Sequence, residues 1–173
     1  MAAIEDLTAH ARRYAQRFPY AGLPSRPARR VAVLTCMDCR IDPAEILGLR
    51  PGDAHVIRNA GGALTADARR SLTLSQRLLG TAEIAIIRHT ACGVLGLDDT
   101  LLDHLQAETG HRPDWPVHGF ENLETDLRAD LTALRADPFL PHTTHIRAFV
   151  YDAVHTGTLT EIRAETPTHQ RAA

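Results

Sequence analysis

The chain has no lysine: its 19 basic residues are all arginines, and 21 acidic residues leave a formal net charge of −2. The arginines form no stripe interleaved with aromatic side chains, so a nucleic-acid partner is not expected. No apolar run is long enough to cross a bilayer. Acidic and basic residues interrupt the apolar positions of the N-terminus, which excludes the uninterrupted core of a secretory signal. We therefore expect a cytoplasmic protein without a membrane partner.

Cysteine and aromatic residues are scarce as well. There are three cysteines, all between positions 36 and 92, and aromatic residues make up 5% of the chain. An odd, clustered set of cysteines in a reducing compartment indicates metal or redox chemistry rather than a disulfide framework. The 173 residues, of which 44% are hydrophobic, suit one domain with a hydrophobic core.

Short apolar runs rich in β-branched residues alternate with helical patterns. Buried strands are predicted at 30–36, 54–59, 83–89 and 145–152, with a hairpin partner strand at 156–162. Helices are predicted at 3–17, 65–79, 97–109 and 122–136. This order predicts an α/β fold: a mostly parallel central sheet of four strands plus an edge strand, flanked by helices, with an N-terminal helical arm.

The predicted organisation is an N-terminal helical arm and linker at 1–29, an α/β catalytic domain at 30–165 and a flexible tail at 166–173. Prolines in the linker exclude regular helix and central strand there. The helical arm can pack on its own domain or lie on a partner subunit. Both interpretations stay open at the level of the sequence.

Two short motifs stand at the ends of predicted strands. TCMDCR (35–40) ends the first strand, and RHTACG (88–93) ends the third. Because parallel strands place their carboxyl ends at one edge of a sheet, Cys36, His89 and Cys92 can converge there. Thiolate and imidazole are ligands that Zn²⁺ favours, and three protein ligands leave a fourth position open for catalysis. The motifs therefore predict one catalytic zinc ion per subunit.

Asp38 and Arg40 lie next to the first predicted ligand. A guanidinium group can clamp a carboxylate in a fork, which would hold Asp38 ionised beside the open zinc position. If the pair broke, Asp38 could itself coordinate zinc and close the site. The alternative is a surface ion pair without function. The position beside Cys36 favours the catalytic interpretation.

These motifs resemble those of the β-class carbonic anhydrases, most closely the short bacterial branch. The resemblance is carried by Cys36-x-Asp38-x-Arg40 and by His89-x-x-Cys92-Gly93. It continues through RNAGG (58–62), ARRSLTLSQRLLGT (68–81) and YDAVHTGTL (151–159).

The resemblance implies a zinc enzyme that hydrates CO₂ reversibly to bicarbonate and a proton, by attack of zinc-bound hydroxide. Cys36, His89 and Cys92 would bind the zinc, while Asp38 and Arg40 would form the catalytic dyad. Members resembling this family also hydrolyse carbonyl sulfide or carbon disulfide, so these two substrates are the alternatives.

Further features follow from the same resemblance. Gly61, Gly62 and Gly93 would lie close to the substrate pocket. The implied assembly is an intertwined homodimer, or a homotetramer, in which the N-terminal helices embrace the partner.

The sequence departs from the family pattern at two positions. Ala91 replaces the acidic residue of HTDCG, and Cys39 stands where a small residue such as alanine is usual. Cys39 could be a fourth ligand that closes a Cys₃His structural zinc site with Cys36, His89 and Cys92. It could also form a redox C-x-x-C pair with Cys36, or simply be a small buried residue. We favour the last interpretation, because the redox pair leaves RHTACG unexplained and the turn after Cys36 already serves to place the dyad.

Overall fold

A computed structural model describes residues 2–163. The helices are α1 (Ala3–Ala15), α2 (Pro43–Leu47), α3 (Ala66–Arg77), α4 (Thr100–Thr109) and α5 (Leu123–Arg135). The strands are β1 (Val31–Cys36), β2 (Ala54–Asn59), β3 (Glu83–His89), β4 (Ile146–Tyr151) and β5 (Leu159–Ile162). A single 3-10 turn, Ala60–Gly62, follows β2.

The five strands form one sheet in the order β2-β1-β3-β4-β5. Strands β1 to β4 run parallel, and β5 pairs antiparallel with β4. The predicted α/β class is therefore confirmed, with four parallel strands and an antiparallel edge strand. Strands β2 and β3 also have the bounds that the sequence predicts.

The hydrophobic core lies between the sheet and helices α3 and α5. Helix α5 presents Leu127, Leu131 and Leu134 at helical spacing, and each is at most 1% exposed. Helix α3 adds Ala68 and Leu72 to the same cluster. Full burial of a leucine side chain contributes about 1.5–3 kcal/mol relative to leaving it exposed. This packing holds the central strands, and with them the ends that carry the two motifs.

The last two residues of β3 point in opposite directions. Arg88 faces α5, where its Nη2 donates to Asp130 Oδ2 at 2.7 Å. Because successive strand residues alternate between faces, His89 points to the other side of the sheet. The buried ion pair explains how β3 accommodates an arginine whose side chain is only 5% exposed.

Helix α1 buries none of its residues. Its apolar side chains Ile4, Leu7 and Tyr14 are 66%, 64% and 41% exposed. Within residues 2–163 this helix therefore does not bury its apolar side chains on its own domain, and its role as an arm laid on a partner subunit stays a prediction.

The short helix α2 is absent from the sequence-based prediction. Asp42 Oδ1 accepts hydrogen bonds from the backbone N–H groups of Ala44 and Glu45 at 2.9 and 3.5 Å. Pro43 is the first helical residue, and Gly48 ends the helix in the left-handed conformation. These are ordinary start and stop residues. Five residues are too few to show the apolar repeat by which helices are recognised.

No helix within residues 2–163 is long and apolar enough to cross a membrane. The cytoplasmic location stays a prediction. The tail predicted at 166–173 and the last two residues of the predicted catalytic domain lie outside the described residues, so the division into arm, domain and tail also stays a prediction.

Candidate metal centre

The predicted metal site lies at the edge of the sheet where β1 and β3 end. These strands are hydrogen-bonded neighbours, with Thr35 opposite Ile87. Cys36 and His89 therefore end adjacent strands at the same edge, and Cys92 follows in the turn after β3. The structure brings together the three side chains that the sequence singles out.

The donor atoms of Cys36, His89 and Cys92 all lie within 4.8 Å of one another, and all three residues are buried. The two sulfur atoms are 3.9 Å apart. Two Zn–S bonds of about 2.3 Å at a tetrahedral angle would separate the sulfurs by about 3.8 Å. The spacing of the thiols therefore fits a tetrahedral zinc ion.

The imidazole of His89 is oriented with one nitrogen available. Its Nδ1 lies 2.9 Å from the carbonyl oxygen of Thr90. A carbonyl can only accept, so Nδ1 carries the proton and Nε2 carries the lone pair. Among the described residues, Nε2 has no hydrogen-bond partner although it is buried. A buried acceptor left unpaired costs free energy, and a metal ion would satisfy it.

Burial shifts both kinds of ligand toward their neutral forms. It raises the pKa of the Cys92 thiol, and it lowers the pKa of His89. Neutral imidazole is the form that binds a metal, whereas a thiol must lose its proton on binding. A divalent cation at this point would therefore restore the thiolate that burial disfavours.

Asp38 and Arg40 lie beside this cluster. Arg40 Nε and Nη2 donate to the two carboxylate oxygens of Asp38 at 3.0 and 2.7 Å. These side-chain bonds, with a further one from the Arg40 backbone N–H, hold the pKa of the Asp38 carboxyl well below its usual range. Asp38 Oδ2 is 3.7 Å from His89 Nε2. The ion pair thus borders the available imidazole nitrogen and is not an isolated surface pair.

A family model described as carbonic anhydrase matches residues 31–158. Beta-carbonic anhydrase 1 of Mycobacterium tuberculosis is 42% identical over 163 residues, which cover 94% of this chain and 99% of the relative. The chain belongs to the β-carbonic anhydrase family.

A solved structure and a further relative extend the comparison. The crystal structure of the carbonic anhydrase from Streptococcus mutans matches with a TM-score of 0.86 at 34% identity, covering 94% of this chain and 99% of that one. A carbon disulfide hydrolase of Acidithiobacillus thiooxidans is 34% identical over 163 residues, covering 80% of this chain and 78% of the relative. Relatives of this β-carbonic anhydrase are thus named for two different substrates.

The dyad of this β-carbonic anhydrase also contacts the turn that carries Cys92. Arg40 Nη2 donates to the carbonyl oxygen of Ala91 at 2.9 Å. Ala91 has a φ of 51°, a left-handed conformation that is uncommon outside glycine and in which Asp and Asn are enriched. The contact uses the backbone of residue 91, so it is kept although alanine replaces the acidic residue of the family pattern.

Arg58 is a site residue that sequence reasoning missed. Its Nε donates to the carbonyl oxygen of Cys36 at 3.0 Å, and its Nη2 donates to that of Asp38 at 2.8 Å. Arg58 therefore holds the loop between the first thiol and the dyad. Its place in RNAGG pointed to this region, but a contact with two backbone carbonyls leaves no trace in the sequence.

The glycines after β2 pack closely, as expected. A Cβ atom on Gly62 would lie 3.0 Å from the backbone nitrogen of Cys36, and its φ is 60°. A Cβ atom on Gly61 would lie 2.6 Å from Val94. Around Gly93, by contrast, a Cβ atom would meet nothing within 4 Å among the described residues. A role of all three in the substrate pocket stays a prediction.

Cys39 is exposed, so its interpretation as a small buried residue is wrong. The chain turns sharply after β1, which brings Asp38 beside the cluster and leaves Cys39 in solvent. Cys39 is not among the clustered donor groups found in residues 2–163. The sulfur within contact distance of Cys36 is that of Cys92. This arrangement argues against both the closed Cys₃His site and the redox C-x-x-C pair.

An apolar shell encloses the two thiols. Ile41 and Phe120 are buried against Cys36 and Cys92. The partly buried side chains that complete the shell are Ile46, Val94, Leu123 and Tyr151. They come from separate segments of the chain, which is why no sequence motif revealed them. Such surroundings exclude water and strengthen the electrostatic interactions of the site.

Proposed function

We propose that this chain catalyses the reversible hydration of carbon dioxide to bicarbonate and a proton. The observation that carries the proposal is the buried Cys36–His89–Cys92 cluster with the ionised Asp38 carboxylate beside it. The family to which the chain belongs, and its similarity to Beta-carbonic anhydrase 1 over 94% of its length, support the proposal.

The three clustered residues would hold one zinc ion, with Cys36 and Cys92 as thiolates and His89 bound through Nε2. Three protein ligands leave one coordination position for water. When bound, zinc supplies a Lewis acid that lowers the pKa of a water molecule from about 15.7 to roughly 7. The orientation of the reacting water depends on residues of the chain itself.

Asp38 would accept a hydrogen bond from the reacting water and orient it. Both of its carboxylate oxygens are occupied by Arg40 donors. Arg40 thereby keeps the carboxylate ionised and holds it as an acceptor, so that it is not released to become a fourth ligand. The proton that the water releases would pass to buffer.

The apolar shell suits a small uncharged substrate. Carbon dioxide is linear and apolar, and Phe120 and Ile41 provide apolar surface next to the thiols. Bicarbonate carries a charge, so the same surface favours its release. Binding and release therefore need no dedicated charged pocket.

The first prediction separates the roles of the three cysteines. Cys92→Ser should lose the zinc that the native protein binds at one ion per chain, because a hydroxyl is a poor replacement for thiolate. Cys39→Ser is the matched control and should keep it, since Cys39 is exposed. Elemental analysis after dialysis measures both. Loss of zinc from Cys39→Ser would instead support the closed Cys₃His site.

The second prediction concerns the dyad. Asp38→Ala should keep zinc yet lose activity by about 10²-fold or more, the usual contribution of a positioned proton acceptor. Arg40→Ala should behave alike, and the double variant should be little worse, because the two residues act as a unit. Stopped-flow measurement of CO₂ hydration checks the series.

Asp67→Ala is the matched control for the dyad. Asp67 also pairs with a nearby arginine, Arg70, at 3.1 Å, but on an exposed helix surface. Its removal should leave activity unchanged. Full activity in Asp38→Ala would show that the dyad has no catalytic role.

Carbonyl sulfide and carbon disulfide are the alternative substrates, and the similarity to a carbon disulfide hydrolase favours testing them. Both are linear and apolar, so the same water and the same apolar shell would serve. We expect CO₂ hydration to exceed sulfide release from either compound. The assay is stopped-flow with a pH indicator for CO₂, beside sulfide detection for the other two, with Cys92→Ser as the blank. Turnover of a sulfur compound without CO₂ hydration would reverse the assignment.

The active protein would be a homodimer. An isolated helix of 13 residues is marginal in water, so α1 needs a surface to pack on. Among residues 2–163 it buries none of its side chains, and its apolar ones are exposed. The equivalent surface of a second copy would cover them. The same argument is compatible with a homotetramer built from two such pairs.

The assembly is tested by one pair of substitutions in or beside α1. Leu7→Glu places a charge among the exposed apolar side chains and should shift the protein from twice the 19.0 kDa chain mass toward the monomer. Gln16→Glu adds the same charge on the other side of the helix axis and should leave the mass unchanged. Light scattering at equal concentrations compares them. An unaltered mass for Leu7→Glu would contradict the role given to α1.

A further inference from the structure

The segment after β4 has no part in the proposed mechanism, yet it contains many hydrogen bonds. Asp152 follows Tyr151, the last residue of β4. Its carboxylate accepts hydrogen bonds from the backbone N–H groups of Val154, His155 and Thr156, and from the Thr156 hydroxyl. Together these bonds hold the pKa of the carboxyl below its usual range. Asp152 is therefore a fixed anionic acceptor at the end of β4.

One further donor to Asp152 comes from a different strand. The hydroxyl of Thr90, the residue after β3, donates to Asp152 Oδ1 at 3.1 Å. The same hydroxyl accepts from the backbone N–H of Ala153 at 3.1 Å. The Thr90 backbone N–H donates to the carbonyl oxygen of Tyr151 at 3.0 Å. Thr90 is thus held by three hydrogen bonds, one to the last residue of β4 and two to the segment that follows it.

The other side of Thr90 faces the metal site. Its carbonyl oxygen accepts the hydrogen bond from His89 Nδ1 at 2.9 Å. That bond sets which ring nitrogen carries the proton and which points into the cluster with Cys36 and Cys92. A continuous chain of hydrogen bonds therefore runs from Asp152 through Thr90 to the imidazole that would bind zinc.

We propose that Thr90 and Asp152 are positioning residues for the zinc ligand His89. Asp152 holds the Thr90 hydroxyl, and Thr90 in turn presents its carbonyl to Nδ1, so that Nε2 is unprotonated and correctly aimed. Partners that orient a ligating histidine through its second nitrogen typically affect metal affinity by about 10- to 100-fold. This inference rests on the proposed zinc site and adds two residues to it.

A purely structural role would look different. Asp152 also fixes the turn between β4 and β5, so its loss would lower stability whatever it does for His89. Removal of the Thr90 hydroxyl separates the two roles. The hydroxyl links Asp152 to the turn after β3, whereas the other hydrogen bonds to Asp152 do not involve it. Thr156→Val provides the matched control, since it removes another hydroxyl from Asp152 and leaves Thr90 untouched.

The experiment measures metal binding in the full-length protein. Zinc affinity is determined by competition with a chelator, and the absorption spectrum of the Co²⁺-substituted protein reports ligand geometry. Thr90→Val should bind zinc about 10-fold more weakly and should show altered cobalt bands. Thr90→Ser, which restores the hydroxyl, and Thr156→Val should both resemble the native protein. If Thr90→Val does not fold by circular dichroism, Thr90→Ala replaces it with the same expectation.

The outcomes distinguish this inference from the proposed function. Native protein that binds no zinc would overturn the proposed function, and the inference with it. Native protein that binds zinc, together with a folded Thr90 variant of unchanged affinity and unchanged cobalt spectrum, would overturn the inference alone. A loss of affinity as large in Thr156→Val as in Thr90→Val would also overturn it, because the effect would then follow turn stability.

Discussion

The parallel pairing of β1 with β3 is the constraint on which the site depends. It places the carboxyl ends of two strands side by side, so residues 52 positions apart in the chain, such as Thr35 and Ile87, become neighbours. A thiol at one strand end and an imidazole at the other then face the same volume. A shift of one residue in the pairing would move one side chain about 3.3 Å along its strand and would separate donor atoms that now lie within 4.8 Å of one another. The leucine-rich core against α5 matters to function because it holds this register.

The fold was largely predictable, because buried parallel strands appear in the sequence as short apolar runs rich in β-branched residues. The clustered side chains were predictable for a related reason: Cys36, His89 and Cys92 stand at or just after the ends of such runs. Contacts that are made through backbone groups were not predictable. Arg58 and Thr90 stand in RNAGG and RHTACG, but they act on or through backbone carbonyl groups, which every residue possesses, so no residue pattern reveals these contacts. Cys39 was misjudged because its direction is set by the turn after β1, and a turn can send one small residue into solvent as readily as into the core.

Burial has opposite consequences for the two halves of the site. Both thiols and the imidazole are enclosed, and burial raises the pKa of the Cys92 thiol and lowers the pKa of His89, so that their neutral forms are favoured. Asp38 stays ionised in the same neighbourhood because Arg40 supplies the donors that water would otherwise supply. The thiols would thus gain their charge only with a bound metal, whereas Asp38 keeps its charge without one. In the proposed mechanism, metal binding and proton acceptance would therefore fall to different residues, although His89 Nε2 and Asp38 Oδ2 are only 3.7 Å apart.

The two loops of the site also stabilise each other. Arg40, from the loop after β1, binds the carbonyl of Ala91 in the loop after β3. Ala91 presents that carbonyl from a left-handed conformation that disfavours most side chains. The conformation of the turn after β3 and the orientation of the Asp38–Arg40 pair therefore depend on the same hydrogen bond. The hydrogen bond between the two loops uses the backbone of residue 91, so it does not depend on the side chain at the position where alanine departs from the family pattern.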